Sequence, residues 1–216
     1  MAENNAMNKQ TEDLLIDIAA GDSFINFQIG GTDEFVIGVD DSDADSLKIN
    51  QGGASPSAGT NVWKMDSLGE RSMVLQSSFE VHLTSTVNNV TGDGTLYTIL
   101  YDNEVFDQNN DFNSTTGVYT CPVTGKCQFE AGANCIGVAV GITDGGLHLI
   151  TSNYTYIYHL NINTIRTSGY PYDVVAAAEM DAADTAYIDV FVSGIALVID
   201  INANSDLTHF SGTLTC

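Results

Sequence analysis

Residues 100 to 129 read LYDNEVFDQNNDFNSTTGVYTCPVTGKCQF, and the fold turns on how they are parsed. Tyr119 and Cys121 precede a Pro122-Val123-Thr124-Gly125 turn, and Cys127 and Phe129 follow it, so both arms alternate with a period of two. Alternation on either side of a tight turn predicts a β-hairpin. Ahead of it, Asp107 to Thr116 is dense in Asn and Asp, which bond their own backbone and favour turns. A strand is expected before that loop.

The same punctuation runs outward in both directions. Phe79/Val81/Leu83 alternate, Asn88 to Thr95 form a glycine-punctuated loop, and Leu96 to Tyr101 read as a buried strand. Further on, the small apolar run Ala131 to Ile142, then His148 to Ile150 and Tyr154 to Ile165, read as strands. Ile188/Val190/Val192 and Ile195/Leu197/Ile199/Ile201 flank a Ser193-Gly194 turn and predict a second hairpin. Short strands at near-regular spacing, with almost no helical periodicity, predict an all-β sandwich.

Phe106-Asp107, Asp111-Phe112-Asn113, Thr116-Gly117-Val118-Tyr119, Pro122, Gly125 and Phe129 together resemble the central signature of the globular head of complement subcomponent q. The resemblance runs from Phe79-Glu80-Val81-His82-Leu83 to a closing Phe210-Ser211-Gly212-Thr213-Leu214, a Phe-x-Gly-x-Leu pattern, and spans roughly two thirds of the chain. Cys121 stands where that signature has Ala and Cys127 where it has Tyr. The resemblance implies a jelly-roll sandwich, shared in fold with the tumour necrosis factor superfamily, that assembles as a homotrimer.

Upstream the text changes. Residues 1–12 are polar and form an arm with little to bury; residues 13–73 form a small strand-rich anchoring region; residues 74–216 form the head. Leu14, Ile16 and Ile18 alternate, as do Ile25/Phe27/Ile29 and Phe35/Ile37/Val39 around Gly30-Gly31. Asn50 to Thr60 is a Gly/Ser/Ala/Pro-rich loop before a brief strand at Asn61 to Met65. So short a region has too little chain for a large core of its own, and intertwining of three copies is expected to supply the missing burial. A block of this kind ahead of such a head resembles bacteriophage and bacterial surface proteins.

Charge narrows the function classes. Twenty-eight acidic residues against six basic give a formal net charge of -22. Such a surface repels nucleic-acid phosphates and anionic membranes, so neither nucleic-acid binding nor membrane insertion is expected. The opening MAENNAMNKQTED lacks a basic start followed by an apolar core, so no secretory leader is expected in it.

Candidate sites follow from residue type and spacing. Asp41, Asp43 and Asp45, with Asp40, have the Asp-x-Asp-x-Asp spacing that presents oxygens to Ca²⁺, against the alternative of a solvated acidic turn. Asp107, Asn109, Asp111 and Asn113 in the central loop, with Tyr170 and Tyr172 around Pro171, are candidate ligand contacts. Cys121 and Cys127 fall at matching positions across the expected hairpin, which suits a disulfide; two buried free thiols are the alternative. His82, His148, His159 and His209 are scattered through strand patterns, and no Gly-x-Ser-x-Gly elbow accompanies them. The expected function is therefore non-enzymatic: a virion surface protein whose trimeric head binds a host-surface glycan or protein and whose N-terminal region holds a capsid or tail protein. A secreted lectin-like or cytokine-like trimer is the alternative.

Overall fold

The computed structural model describes residue 16 and residues 21–138, 140–159, 169–196, 198–203 and 207–215. The polar arm, the Leu14 to Ile18 alternation apart from Ile16, Leu160 to Ile165, Leu197 and Cys216 lie outside the described residues. Two compact units divide between Leu75 and Gln76.

The first unit is an antiparallel meander of five strands, β1 (Ser23–Ile29), β2 (Thr32–Asp40), β3 (Ser46–Gln51), β4 (Thr60–Met65) and β5 (Arg71–Ser72). The Gly30-Gly31 turn joins β1 to β2 as a true hairpin, with both glycines at positive φ. Cross-strand register then stacks like with like. Ile25 pairs with Ile37, Ile37 with Ile49 and Ile49 with Trp63; beside that row Phe27 pairs with Phe35, and Val39, Leu47 and Met65 form another. The opposite face carries Val36, Asp40, Lys48, Asn50 and Lys64. The loop after β3 folds back over it, held by Asn50 Nδ2 donating to Pro56 O (2.7 Å) and Ala58 O (2.8 Å).

The second unit is a two-sheet sandwich built from β6 (Ser78–His82), β7 (Val87–Thr91), β8 (Tyr97–Thr98), β9 (Asn103–Gln108), β10 (Phe112–Asn113), β11 (Val118–Thr120), β12 (Gly125–Ile136), β13 (Asp144–Thr151), β14 (Thr155–His159), β15 (Tyr170–Met180), β16 (Thr185–Ser193), β17 (Ile199–Ile201) and β18 (His209–Leu214). One sheet runs β10-β11-β16-β13-β14, with β8 on β16; the other runs β7-β17-β12-β18-β6-β9, with β15 on β12. Neighbours distant in sequence and crossings between the two sheets make this a jelly roll.

The decisive stretch is such a crossing, not the expected hairpin. β11 pairs with β10 and β16, whereas β12 pairs with β15, β17 and β18 in the other sheet. Tyr119 and Phe129 do face one another, but across the core, with rings 5.5 Å apart and nearly perpendicular. The Ser193-Gly194 turn behaves likewise: β16 ends in one sheet and β17 begins in the other, so the second expected hairpin is also a crossing. Alternation reports which side chains face inward, and both arms do; it carries no information about which sheet supplies the hydrogen bonds.

The core explains the closing pattern. Phe79 stacks on Phe112 (5.2 Å) and Tyr119 (5.0 Å) and meets Phe210 edge-on (4.9 Å). A Cβ on Gly212 would lie 2.5 Å from Phe79 Cε1 and 2.7 Å from Phe129 Cδ1. In Phe-x-Gly-x-Leu, then, Phe210 and Leu214 fill the core while Gly212 leaves room for two rings between them.

Candidate functional site

Each predicted site residue has a definite place. The central loop does gather Asp107, Asn109, Asp111 and Asn113, but two of the four are occupied in shaping it. Asp107 accepts from the backbone N–H groups of Asp111 (3.1 Å) and Phe112 (3.0 Å); burial pushes its carboxyl up, against the pull of those two bonds. Asn113 Oδ1 accepts from Thr115 N (3.0 Å). Asn109 and Asn110 take positive φ at the tip, a conformation asparagine tolerates better than most residues. Asn109 and Asn113 are exposed on the surface of this loop.

Tyr170 and Tyr172 are not surface contacts. They are 3% and 0% exposed and begin the inward-facing register of β15. Pro171 does not break the strand, because it pairs with Asn134 on an edge, where the missing N–H costs no ladder bond.

The acidic cluster is corrected too. Asp43 Oδ2 lies 2.6 Å from Lys64 Nζ and 2.8 Å from Lys48 Nζ, and Asp40 Oδ2 lies 2.6 Å from Lys48 Nζ. Two ammonium groups thus already partner the Asp40 and Asp43 carboxylates. Lys48 and Lys64 hold the Asp43 carboxyl well below the usual range, and Lys48, then Ser42, do the same to Asp40. Asp41 and Asp45 flank a short turn whose first residues are capped by the Asp40 side chain, which accepts from Ser42 N (3.0 Å).

Cys121 and Cys127 are buried free thiols with sulfurs 3.7 Å apart, brought together where the chain turns from the end of β11 into β12 of the opposite sheet. Burial, reinforced by the neighbouring Cys121 sulfur, pushes the Cys127 thiol up, and burial alone pushes Cys135 up to about 12. Neither has the thiolate character a nucleophile needs at neutral pH. The histidines sit against carboxylates and rings: His82 Nε2 is 2.9 Å from Glu80 Oε1, His159 Nδ1 is 3.5 Å from Asp144 Oδ1, and the His148 ring packs on Phe191 at 5.2 Å. Burial, and then the nearby His159, lower the His148 pKa.

The feature that sequence reasoning missed is the rim where both sheets of the second unit end side by side. β14 closes one sheet and β15 the other, and among the described residues no further strand pairs with the outer side of either. Tyr156 Oη donates to Ala177 O (3.2 Å), tying the two edges together. Around that tie lies an open cleft of about 450 Å³ lined by residues 154–158 and 173–175. Large apolar side chains stand exposed on its border, Tyr154 at 64%, Ile157 at 50%, Tyr158 at 44% and Val175 at 60%, beside Thr155 and the exposed carboxylate of Asp173. The signal was present in Tyr154-Thr155-Tyr156-Ile157-Tyr158, where apolar residues occupy both faces of one strand, as happens when a strand is covered on both sides.

The strand order defines a jelly-roll sandwich. The chain is similar to the globular domain of zebrafish complement 1qA, at 16% identity over 65% of this chain and 98% of that one, with a TM-score of 0.44. It is also similar to murine APRIL (6% identity, 64% and 98% covered, TM-score 0.44) and to Eiger TNF from S. frugiperda (12%, 66% and 92%, TM-score 0.41). No protein-family model and no curated protein matches the chain.

Proposed function

We propose that this chain acts by binding rather than catalysis, as a homotrimeric recognition protein on a virion surface, in the first instance that of a bacteriophage. Residues 76–216 are the adhesive head, which takes a host-surface glycan or protein, and the residues before them serve attachment to a capsid or tail protein. One observation carries the reading: among the described residues β14 and β15 end their sheets side by side with no further strand on either, and Tyr154, Ile157, Tyr158 and Val175 are exposed along them. A bare apolar edge invites pairing and is normally blunted or covered, and a copy of the same chain is a cover always at hand. Three heads on one axis then present three sets of loops, so that weak contacts at Asn109 and Asn113 add as avidity. The virion assignment is supported by the sequence, in which a strand-rich block precedes the head.

Sedimentation velocity on the full chain tests the assembly: a species near three times 23.0 kDa is expected. A compact single subunit at every concentration overturns it. Adhesion to intact cells tests the recognition: the trimer is expected to bind with an avidity that Ile157→Asp, placed on the exposed edge, abolishes together with the trimer. Equal adhesion by trimer and monomer overturns the avidity mechanism.

A further inference from the structure

The five-stranded sheet of the first unit supplies only one of the two layers a core requires. On one face Ile25, Ile37, Ile49 and Trp63 form a continuous cross-strand row, flanked by Phe27 and Phe35 on one side and Val39, Leu47 and Met65 on the other. The only charged partner in those rows is Arg71, opposite Met65 on the edge strand β5. Among the described residues this face is open over β1 and β2, where Phe27 is 53% exposed, Phe35 46%, Ile25 39% and Ile37 36%, with Ile29 beyond them at 75%, and half-buried over β3 and β4. The opposite, polar face is the one the unit covers for itself, with its loop and its lysine–aspartate cluster.

We infer that the missing layer is the same face of other copies of this chain, so that the first unit is an assembly interface in its own right. This rests on the trimeric reading and deepens it: three copies would enclose an apolar centre between their sheets. Charge favours that occupant, and area bounds what this face contributes. A chain of net charge -22 repels its own copies, so a self-contact must lie where carboxylate does not meet carboxylate, and these rows contain no carboxylate. Strands of six to nine residues, rising ~3.3 Å each and spaced ~4.8 Å apart, give a face of roughly 400 Å², about half of what one partner buries in a standard interface. The exposed edge of the head supplies a second patch on the same chain, so neither has to hold the assembly alone.

Trp63, the single tryptophan of the chain, lies in the middle row and reports on this interface directly. In a dilution series of the full chain, its emission is expected to move to longer wavelength in step with the loss of trimer mass in sedimentation. Phe27→Asp is expected to raise the concentration needed for assembly by about tenfold or more, because it sets a bare carboxylate against an apolar partner. Phe27 is already half exposed, so far-UV circular dichroism should not change; if it does, Ile29→Asp, more exposed still, takes its place in the comparison. A trimer whose dissociation leaves Trp63 unmoved, or whose Phe27→Asp and Ile29→Asp variants assemble at the parent concentration, overturns this inference and leaves the head-mediated trimer intact. A monomer at all concentrations overturns both.

Discussion

The two units spend the same alternating sequence in opposite ways. In the head, alternate residues point into a space closed by a second sheet, so Phe79, Phe129 and Phe210 are almost fully buried and pack ring on ring. In the first unit an equally regular alternation points Ile25, Phe27, Phe35 and Ile37 at nothing described within that unit, while its other face carries the lysine–aspartate pairs and the loop tied down by Asn50. A period-two pattern therefore fixes which residues share a face, whereas a core needs a second face to meet it. A unit that shelters its ion pairs and leaves its aliphatic rows open is built to be completed by something else.

Matched truncations test that contrast most sharply. Phe79→Ala removes a ring that is 1% exposed and in contact with three others, and should cost about 3–5 kcal/mol in urea unfolding of the head followed by circular dichroism. Phe35→Ala removes the same ring from a residue that is 46% exposed, and in the dissociated chain should cost roughly 1 kcal/mol, since little area is lost from burial. Equal losses at both positions in dissociated protein would mean that the open face is already covered within one chain, and the distinction between the units would fail. In the assembled protein the cost of Phe35→Ala should rise with protein concentration.

Next in size is Gly212→Ala. A methyl group there meets two aromatic rings at under 3 Å, and neither ring has free space to retreat into. Overpacking of this kind costs about 1–3 kcal/mol, read as a lowered urea midpoint with an unchanged slope. A neutral result would show that the rings of Phe79 and Phe129 are looser than their stacking implies. The same substitution at Gly31, where a Cβ meets nothing, would probe only the positive φ of the turn.

Much of the fold was legible in the sequence. The sandwich, the Gly30-Gly31 hairpin and the closing strand follow from alternation and turn residues. The two crossings at Pro122 to Gly125 and at Ser193-Gly194 were not, because a turn between inward-facing arms looks the same whether the chain returns to its own sheet or enters the opposite one. Pro171 misled in another way: proline suggests a loop unless the strand is an edge, and edge status is a property of topology alone. Asp43 looked like a cation ligand and is one, but its cations are Lys48, just downstream on β3, and Lys64, remote in sequence and set beside Lys48 by the β3–β4 register. The Tyr154 to Tyr158 run has apolar residues on both faces in the sequence, but that this strand ends its sheet beside β15 is a property of the topology.

The smallest expected effect lies in the ion-pair cluster, and its sign follows from the direction of each shift. Asp43 is held below its ordinary value by Lys48 and Lys64, and Asp40 by Lys48 and then Ser42. A carboxyl whose folded pKa is depressed contributes stability above its unfolded pKa, and loses it as pH falls through the folded value. The first unit should therefore weaken from about pH 4 downward, the ordinary carboxylate range. Burial, the largest influence on Lys48, pulls its pKa down, but the bonds to Asp40 and Asp43 together outweigh it and leave the pKa raised. Its contribution is thus present at neutral pH and fades only as pH rises through that raised value. Asp43 is 40% exposed, so solvent screens its pairs and the effect stays modest. Urea midpoints followed by Trp63 emission, at a fixed concentration below the assembly threshold, should fall between pH 5 and pH 3 (about the carboxylate range) and should fall less in Asp43→Asn. An unchanged slope in that variant would show that the two lysines are held by the loop and the sheet register rather than by the charge they face.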